Sequence, residues 1–170
     1  MKDPDKRAVV IIPHKDDPVR LDRCLAALLP TLPDEVAVAV VDNGSERDIT
    51  DVLSRYPGVD LLHEPLAGAA NARNRGVAET DAQLLLFLDA DCLPDANWVE
   101  TALAVADQGD LVTGEVYVFH ETEGMHSGAQ AFEQVFAFDF RTYVARDGFA
   151  GTGNLVTTRE VFDKVGPFRA

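Results

Sequence analysis

Residues 84–94 read LLLFLDADCLP, and five apolar residues there run directly into two carboxylates, Asp89 and Asp91. A short apolar run predicts a strand buried on both faces, which is typical of a parallel sheet covered by helices. The two carboxylates repel each other unless a cation or ample water lies between them. Hard oxygen ligands suit Mg²⁺ or Mn²⁺, so the end of this strand is a candidate metal site. The alternative is that Asp89 caps a turn and that Asp91 or Asp95 caps the following helix.

Three further strands are predicted before this one. Residues 8–13 (AVVIIP) and 35–45 (EVAVAVVDNGS) contain buried runs, and residues 59–64 (VDLLHE) form a weaker one. Segments with helical spacing separate them, and the first has Asp17 as its N-cap and Pro18 at its first helical position. This alternation predicts an α/β fold, a mostly parallel sheet flanked by helices.

The second half of the chain continues the pattern with longer elements. We predict a helix over residues 97–109, a fifth strand over 110–120, an aromatic-rich helix over 127–146, and a closing strand and helix over 153–158 and 159–166. There is no repeat and no linker composition, and 46% of the 170 residues are apolar. A single domain over residues 1–170 is therefore expected.

Composition narrows the compartment and the partners. The net charge of -14 argues against nucleic acid, because phosphate binding needs basic patches. No apolar run reaches the 18 residues of a membrane span, and the run at residues 8–13 is too short for a signal peptide. The two cysteines, Cys24 and Cys92, lack metal-ligand spacing and fit a reducing compartment. The cytoplasm is the predicted location.

The charge is unevenly distributed along the chain. Between Arg75 and Arg141 there is no lysine or arginine, and the same stretch holds thirteen acids. One interpretation is a solvated acidic surface. The other is that an anionic ligand bound by this stretch arrives together with a divalent cation.

Polar residues follow each predicted parallel strand. In such sheets ligands bind beyond the carboxyl ends of the strands, so these residues are expected to surround one site. They are Pro13-His14-Lys15-Asp16, Asp42-Asn43, His63-Glu64 and Asp89-Ala90-Asp91.

Four segments in order resemble the inverting nucleotide-sugar glycosyltransferases of family 2, which have the GT-A fold. They are VVIIPHKDDPVRLDRCLAALLP followed by VAVVDNGSERD, AGAANARNRG, LLLFLDADCLPDANWVE and GTGNLVTTREVFDKVGPF. The resemblance implies transfer of a sugar, with inversion, from a UDP- or GDP-sugar to a hydroxyl acceptor. It also implies Mn²⁺ or Mg²⁺ as the cofactor.

The resemblance assigns nucleotide-binding roles by position. Pro13, His14 and Asp42 would hold the base, and Arg73 would lie near the base and ribose. Asp42 has a second interpretation as a turn former, and Arg73 competes with the equally available Arg75. His14 departs from the family pattern, which has a small hydroxyl residue there, so the choice of base stays open.

The remaining assignments concern the metal and the acceptor. Asp89 would face the ribose or the metal, and Asp91 the metal and the diphosphate. Gly151, Gly153 and Asn154 would line the junction of donor and acceptor, where glycines allow close backbone approach. Ordinary turn formation is the alternative for these glycines.

The catalytic base is not assigned. Inverting transfer needs a carboxylate to deprotonate the acceptor hydroxyl, and the resemblance places it beyond Ala170. Glu133 and Asp139 are not nominated for this role, and His120 and His126 are interpreted as structural. The alternative function is a truncated domain that binds nucleotide-sugar without efficient transfer.

Two other interpretations concern the class of protein and the aromatic helix. A signalling receiver domain is disfavoured because LLHEP offers no aspartate after the third strand. The aromatic segment at residues 132–143 is interpreted as core, with contact to an acceptor or a membrane surface as the alternative.

Overall fold

A six-stranded sheet forms the centre of the computed structural model, which describes residues 5–121, residue 124 and residues 127–169. The strand order is β3-β2-β1-β4-β6-β5. β1 pairs in parallel with β2 and β4, and β2 pairs in parallel with β3, whereas β6 runs antiparallel to both β4 and β5. The mostly parallel α/β sheet is thereby confirmed. The strands are β1 Ala8–His14, β2 Val36–Asp42, β3 Val59–His63, β4 Leu84–Leu88, β5 Leu111–Thr113 and β6 Asn154–Thr158.

Helices connect and cover these strands. α1 begins where expected, because Asp17 accepts a hydrogen bond from the Arg20 amide and Pro18 occupies the first helical position. In the described part of the chain, no helix is long and apolar enough to cross a membrane. The helices are α1 Pro18–Leu28, α2 Thr50–Leu53, α3 Ala69–Ala78, α4 Trp98–Val105, α5 Gly128–Phe136, α6 Phe140–Asp147 and α7 Arg159–Val165.

Both faces of the sheet are buried. Alternate residues of β1, such as Val10 and Ile11, enter two different hydrophobic clusters because successive strand side chains point to opposite faces. One cluster includes buried residues of α1 and α4, and the other includes Ala72 of α3. Gly76 lets α3 lie close to the sheet, since a Cβ there would stand 2.5 Å from Ile11 Cγ2.

The C-terminal segment is tied back onto α3. The Asn74 amide donates to the Phe168 carbonyl at 2.9 Å and accepts from the Phe168 amide at 2.9 Å. The Phe168 ring meets the Phe87 ring edge to face, with centroids 5.1 Å apart. Asn74 therefore holds the C-terminal segment against α3.

Two elements differ from the sequence predictions. The fifth strand covers Leu111–Thr113 only, and residues 114–121 form no strand. The predicted helix over residues 127–146 is two helices, because Phe138 has a φ of 60° and Asp139 caps the second one through the Thr142 amide.

The aromatic segment is not core as a whole. Phe140 is buried, but Phe132 and Phe136 are 65% and 59% exposed. The interpretation of this segment as core was therefore wrong for most of its rings. The break at Phe138 divides the segment between α5 and α6.

Candidate functional site

A cleft of about 500 Å³ lies beyond the carboxyl ends of β1 and β4. It is lined by Pro13, His14, Arg73, Asp89 and Asp91, which come from three separate segments of the chain. A larger depression of about 690 Å³ lies at the opposite end of the sheet, beside the first residues of β2 and β3. None of the sequence-predicted site residues lines that depression, so the smaller cleft is the candidate site.

Arg73 and Asp89 form an ion pair within the cleft. An Nη2 atom of Arg73 donates to Asp89 Oδ1. Arg73 is 8% exposed, and its Nε is buried without a hydrogen-bond partner among the described residues. Arg75 instead pairs with Glu79 on the surface of α3 at 2.9 Å. Of these two arginines, only Arg73 lines the cleft.

The carboxylates after β4 are not used as caps. α4 begins after Asn97 without a side-chain capping bond, and the turn at Asp89 is closed by its carbonyl, which accepts from the Cys92 amide at 3.0 Å. Asp91 is exposed to the cleft. The capping alternative for these acids was therefore wrong, and Asp91 is available to a ligand.

The side chains that line the cleft would hold a divalent cation only together with oxygen atoms supplied by a bound ligand. The described residues contain no cluster of three or more histidine, cysteine or acidic side chains that could hold a metal. Burial, reinforced by the charges of Asp91 and Asp89, raises the pKa of the Cys92 thiol to about 12, so Cys92 stays protonated. Magnesium is commonly held by one or two carboxylates together with substrate phosphates. The cleft supplies two carboxylates, Asp89 and Asp91.

His14 belongs to a buried hydrogen-bond network. Its Nε2 accepts from the Asp17 amide at 3.2 Å, so in the neutral ring the proton is on Nδ1. Nδ1 lies 3.4 Å from Asp42 Oδ1, which also accepts from the Ser45 hydroxyl. The Ser45 amide donates to Asp42 Oδ2 at 3.3 Å. The network joins the ends of β1 and β2 to the start of α1.

Asp42 lies behind the cleft. It is 8% exposed and is not among the residues that line the cleft. Burial tends to raise its pKa, but hydrogen bonds from the Ser45 hydroxyl, the Ser45 amide and His14 outweigh that effect and lower the pKa of Asp42 below its usual value. Asp42 therefore meets a ligand only if that ligand joins the same network.

The lowered pKa of Asp42 predicts a pH-dependent contribution to stability. A carboxylate whose pKa is lower in the folded state stabilises the fold above its unfolded pKa of about 3.9, and this stabilisation is lost as pH falls through the folded pKa. The difference in free energy of unfolding between wild type and Asp42→Asn should therefore be largest from pH 5 to 7. It should shrink below about pH 4. Urea unfolding at several pH values measures it.

A second variant separates the network from the charge. Ser45→Ala removes the hydroxyl bond to Asp42 and should weaken the pH-dependent difference without abolishing it. Parallel stability curves for wild type and Asp42→Asn down to pH 3 would show that the Asp42 network does not lower its pKa.

Lys15 and Asn43 were among the strand-end residues expected at the site, whereas Asp17 and Arg20 were not predicted to line the cleft. Asn43 fixes the loop before α3: its amide donates to the Glu64 and Leu66 carbonyls at 2.9 and 2.7 Å and accepts from the Gly68 amide at 2.7 Å. Lys15, Asp17 and Arg20 line the cleft as well. The charged residues that follow β1 were the sequence signal for Asp17 and Arg20. The charge count between Arg75 and Arg141 does not cover that part of the chain.

The predicted acceptor-side residues lie at the edge of the site and do not line the cleft. Gly153 abuts it, since a Cβ there would stand 2.6 Å from Asp89 Oδ2. A Cβ on Gly151 would meet Phe140 Cζ at 2.5 Å. Asn154 is used structurally, because it accepts from Trp98 Nε1 at 2.9 Å and donates to the Glu115 carbonyl at 3.2 Å.

Two other side chains that the structure describes, His120 and Asp139, do not line the cleft. His126 lies outside the described residues. The Asp139 carboxylate caps α6, and the hydrogen bonds from Thr142 lower its pKa, which makes it a poor base.

This sheet, with two carboxylates after β4 in a cleft at its carboxyl edge, has the architecture of a GT-A glycosyltransferase. The chain belongs to glycosyl transferase family 2, whose family model matches residues 9–168.

Individual relatives agree with this family. The chain is 30% identical over 168 residues to the glycosyltransferase AglE of Haloferax volcanii, with 94% of this chain and 55% of that protein covered. The chain therefore spans about half the length of this curated relative.

Solved structures resemble the fold at lower identity. A mannosyltransferase of Pyrobaculum calidifontis, in complex with GDP-Man and Mn²⁺, has a TM-score of 0.73 at 20% identity and covers 96% of this chain and 47% of its own. Glucosyl-3-phosphoglycerate synthase of Mycobacterium tuberculosis, with Mn²⁺, UDP and glucosyl-3-phosphoglycerate, has a TM-score of 0.65 at 17% identity and covers 91% and 57%.

Proposed function

We propose that this chain binds a nucleoside-diphosphate sugar and a divalent cation for transfer of the sugar, with inversion, to a hydroxyl acceptor. The observation that carries the proposal is the pair Asp89 and Asp91, which end a buried strand in the cleft and cap neither the turn nor α4. A donor of the UDP- or GDP-sugar type is supported by the solved relatives, which hold GDP-Man or UDP together with Mn²⁺.

The described residues divide the work of binding. Arg73 holds Asp89 in position, and Asp91 is the ligand proposed for Mn²⁺ or Mg²⁺. A bound cation would neutralise charge that builds on the departing diphosphate. Pro13 and the locked His14 ring form the wall beside which the base would lie. Asp89 and Asp91 have these proposed roles in binding, so neither is proposed as the general base. No other carboxylate among the described residues is assigned that role.

We also propose that residues 1–170 act as one domain in the cytoplasm. One sheet unites strands from both halves of the chain, which supports a single unit. Both cysteines are free thiols, which supports a reducing compartment.

The decisive experiment is nucleotide binding to this chain and to Asp91→Asn. We expect UDP or GDP, or the corresponding sugar, to raise the thermal stability in the presence of Mn²⁺, by about 2.7 kcal/mol at a hundredfold excess over Kd. We expect this stabilisation to disappear in Asp91→Asn, because the carboxylate that holds the cation is lost.

Asp95→Asn is the matched control, since Asp95 is an exposed aspartate four residues on and does not line the cleft. It should retain the metal-dependent stabilisation. If neither nucleotide stabilises the wild-type protein with Mn²⁺ or Mg²⁺, the proposed function is wrong.

A further inference from the structure

Glu121 connects the segment after β5 to α1 across roughly a hundred residues of sequence. Its carboxylate accepts from Arg20 Nε at 3.3 Å and from Arg20 Nη2 at 3.4 Å. It also accepts from Arg23 Nη1 at 2.9 Å. Glu121 therefore bridges two arginines on successive turns of one helix.

The two arginines differ in what else they face. Arg20 lines the cleft, and Arg23 does not. Glu121 is the main cause of the raised pKa of Arg20, followed by Asp17 and, more weakly, Asp91. Arg20 is thus close enough to Asp91 to feel its charge, on the side of the cleft where the cation is proposed.

The ion pairs that hold Arg20 are exposed. The side chains of Arg20 and Glu121 are 46% and 37% exposed, and ion pairs of this kind contribute little to stability. The two phosphates of a nucleoside-diphosphate sugar together carry two negative charges, against one for a carboxylate, and a phosphate accepts two parallel hydrogen bonds from a guanidinium. A phosphate group that enters the cleft can therefore compete for Arg20.

The charges of the residues that line the cleft also favour binding of a phosphate by Arg20. The lining of the cleft carries three cations, Lys15, Arg20 and Arg73, and three carboxylates, Asp17, Asp89 and Asp91. Arg73 is paired with Asp89, so the cations left for an anionic ligand are Lys15, just after β1, and Arg20, in the first turn of α1.

We propose that Arg20 binds a phosphate of the nucleoside-diphosphate donor, and that Glu121 is the carboxylate this phosphate displaces. The inference rests on the proposed function and adds a residue to its donor site. Exchange of partners frees Glu121 from the cleft edge when the donor binds. Donor binding then becomes coupled to the position of residues 114–121, which also contact Asn154 through the Glu115 carbonyl.

Four variants test the exchange by calorimetric titration with UDP and GDP in the presence of Mn²⁺. Arg20→Gln should weaken nucleotide binding about tenfold, because a charge-assisted bond to phosphate is lost. Glu121→Gln should tighten it about threefold or more, because the competing carboxylate is gone. Arg23→Gln removes an equal charge from the same helix and the same partner and should not weaken binding. Glu115 pairs with Arg141 away from the cleft, so Glu115→Gln should change nucleotide affinity less than twofold.

Uridine and guanosine separate the phosphate from the base. None of the four variants should alter binding of these nucleosides, which carry no phosphate. The double variant Arg20→Gln with Glu121→Gln should bind nucleotide no more tightly than Arg20→Gln alone.

The outcomes distinguish this inference from the proposed function. Equal weakening by Arg20→Gln and Arg23→Gln, or no tightening by Glu121→Gln, would overturn the exchange while leaving a metal-dependent site that Asp91→Asn abolishes. Absence of nucleotide binding to the wild-type protein would overturn both.

Discussion

Replacement of Phe87 by alanine is expected to lower the free energy of unfolding by about 3–5 kcal/mol, as typical for a buried phenylalanine. Phe87 is fully buried in β4 and packs in the cluster beneath α3. It also holds Phe168 edge to face, so the substitution leaves a cavity and loosens the C-terminal segment together. Urea unfolding at pH 7 measures the loss.

Two controls accompany this variant. Phe87→Leu keeps most of the apolar volume and should lose less stability than Phe87→Ala. Phe132→Ala removes a ring of the same size that is 65% exposed, and it should change the free energy of unfolding by no more than about 0.5 kcal/mol. A Phe87→Ala loss of under about 1 kcal/mol would mean that the core collapses to fill the space.

Replacement of Gly153 by alanine is expected to weaken metal-dependent nucleotide binding about tenfold or more. The new Cβ would lie 2.6 Å from Asp89 Oδ2 and 3.0 Å from its Cγ, so the carboxylate must move away from Arg73. Arg73, which is buried, would then lose its ion-pair partner, and the shape of the cleft would change. Titration with the nucleotide that binds the wild-type protein measures the effect.

Gly58→Ala is the matched control for this change. Nothing lies within 4 Å of a Cβ at Gly58, and its backbone conformation suits any residue. It should bind nucleotide as the wild type does. Wild-type affinity in Gly153→Ala would show that the position of Asp89 is not needed for donor binding.

The strands and their ends could be predicted because the signals are local. Continuous apolar runs of β-branched residues and leucine mark β1, β2 and β4, and each run stops at a polar residue. Parallel strands bring those ends to one edge, and His14, Asp89 and Asp91 accordingly line the same cleft.

The predictions failed where local signals gave no information on packing. Residues 110–120 alternate well enough for a long strand, but only Leu111–Thr113 pairs with β6. The aromatic segment has helical spacing throughout, yet the positive φ of Phe138 divides it. Neither the register of an edge strand nor a single backbone turn is encoded in a periodic pattern.

The sequence by itself determined the mostly parallel sheet and which polar residues follow its strands, because periodicity and residue type act over a few neighbouring positions. Only the tertiary structure decided which charges meet. It paired Arg73 with Asp89, enclosed Asp42 between His14 and Ser45, and brought Glu121 onto Arg20. Each of these contacts depends on how the sheet and its helices pack, because the packing sets the distance between side chains from different segments of the chain.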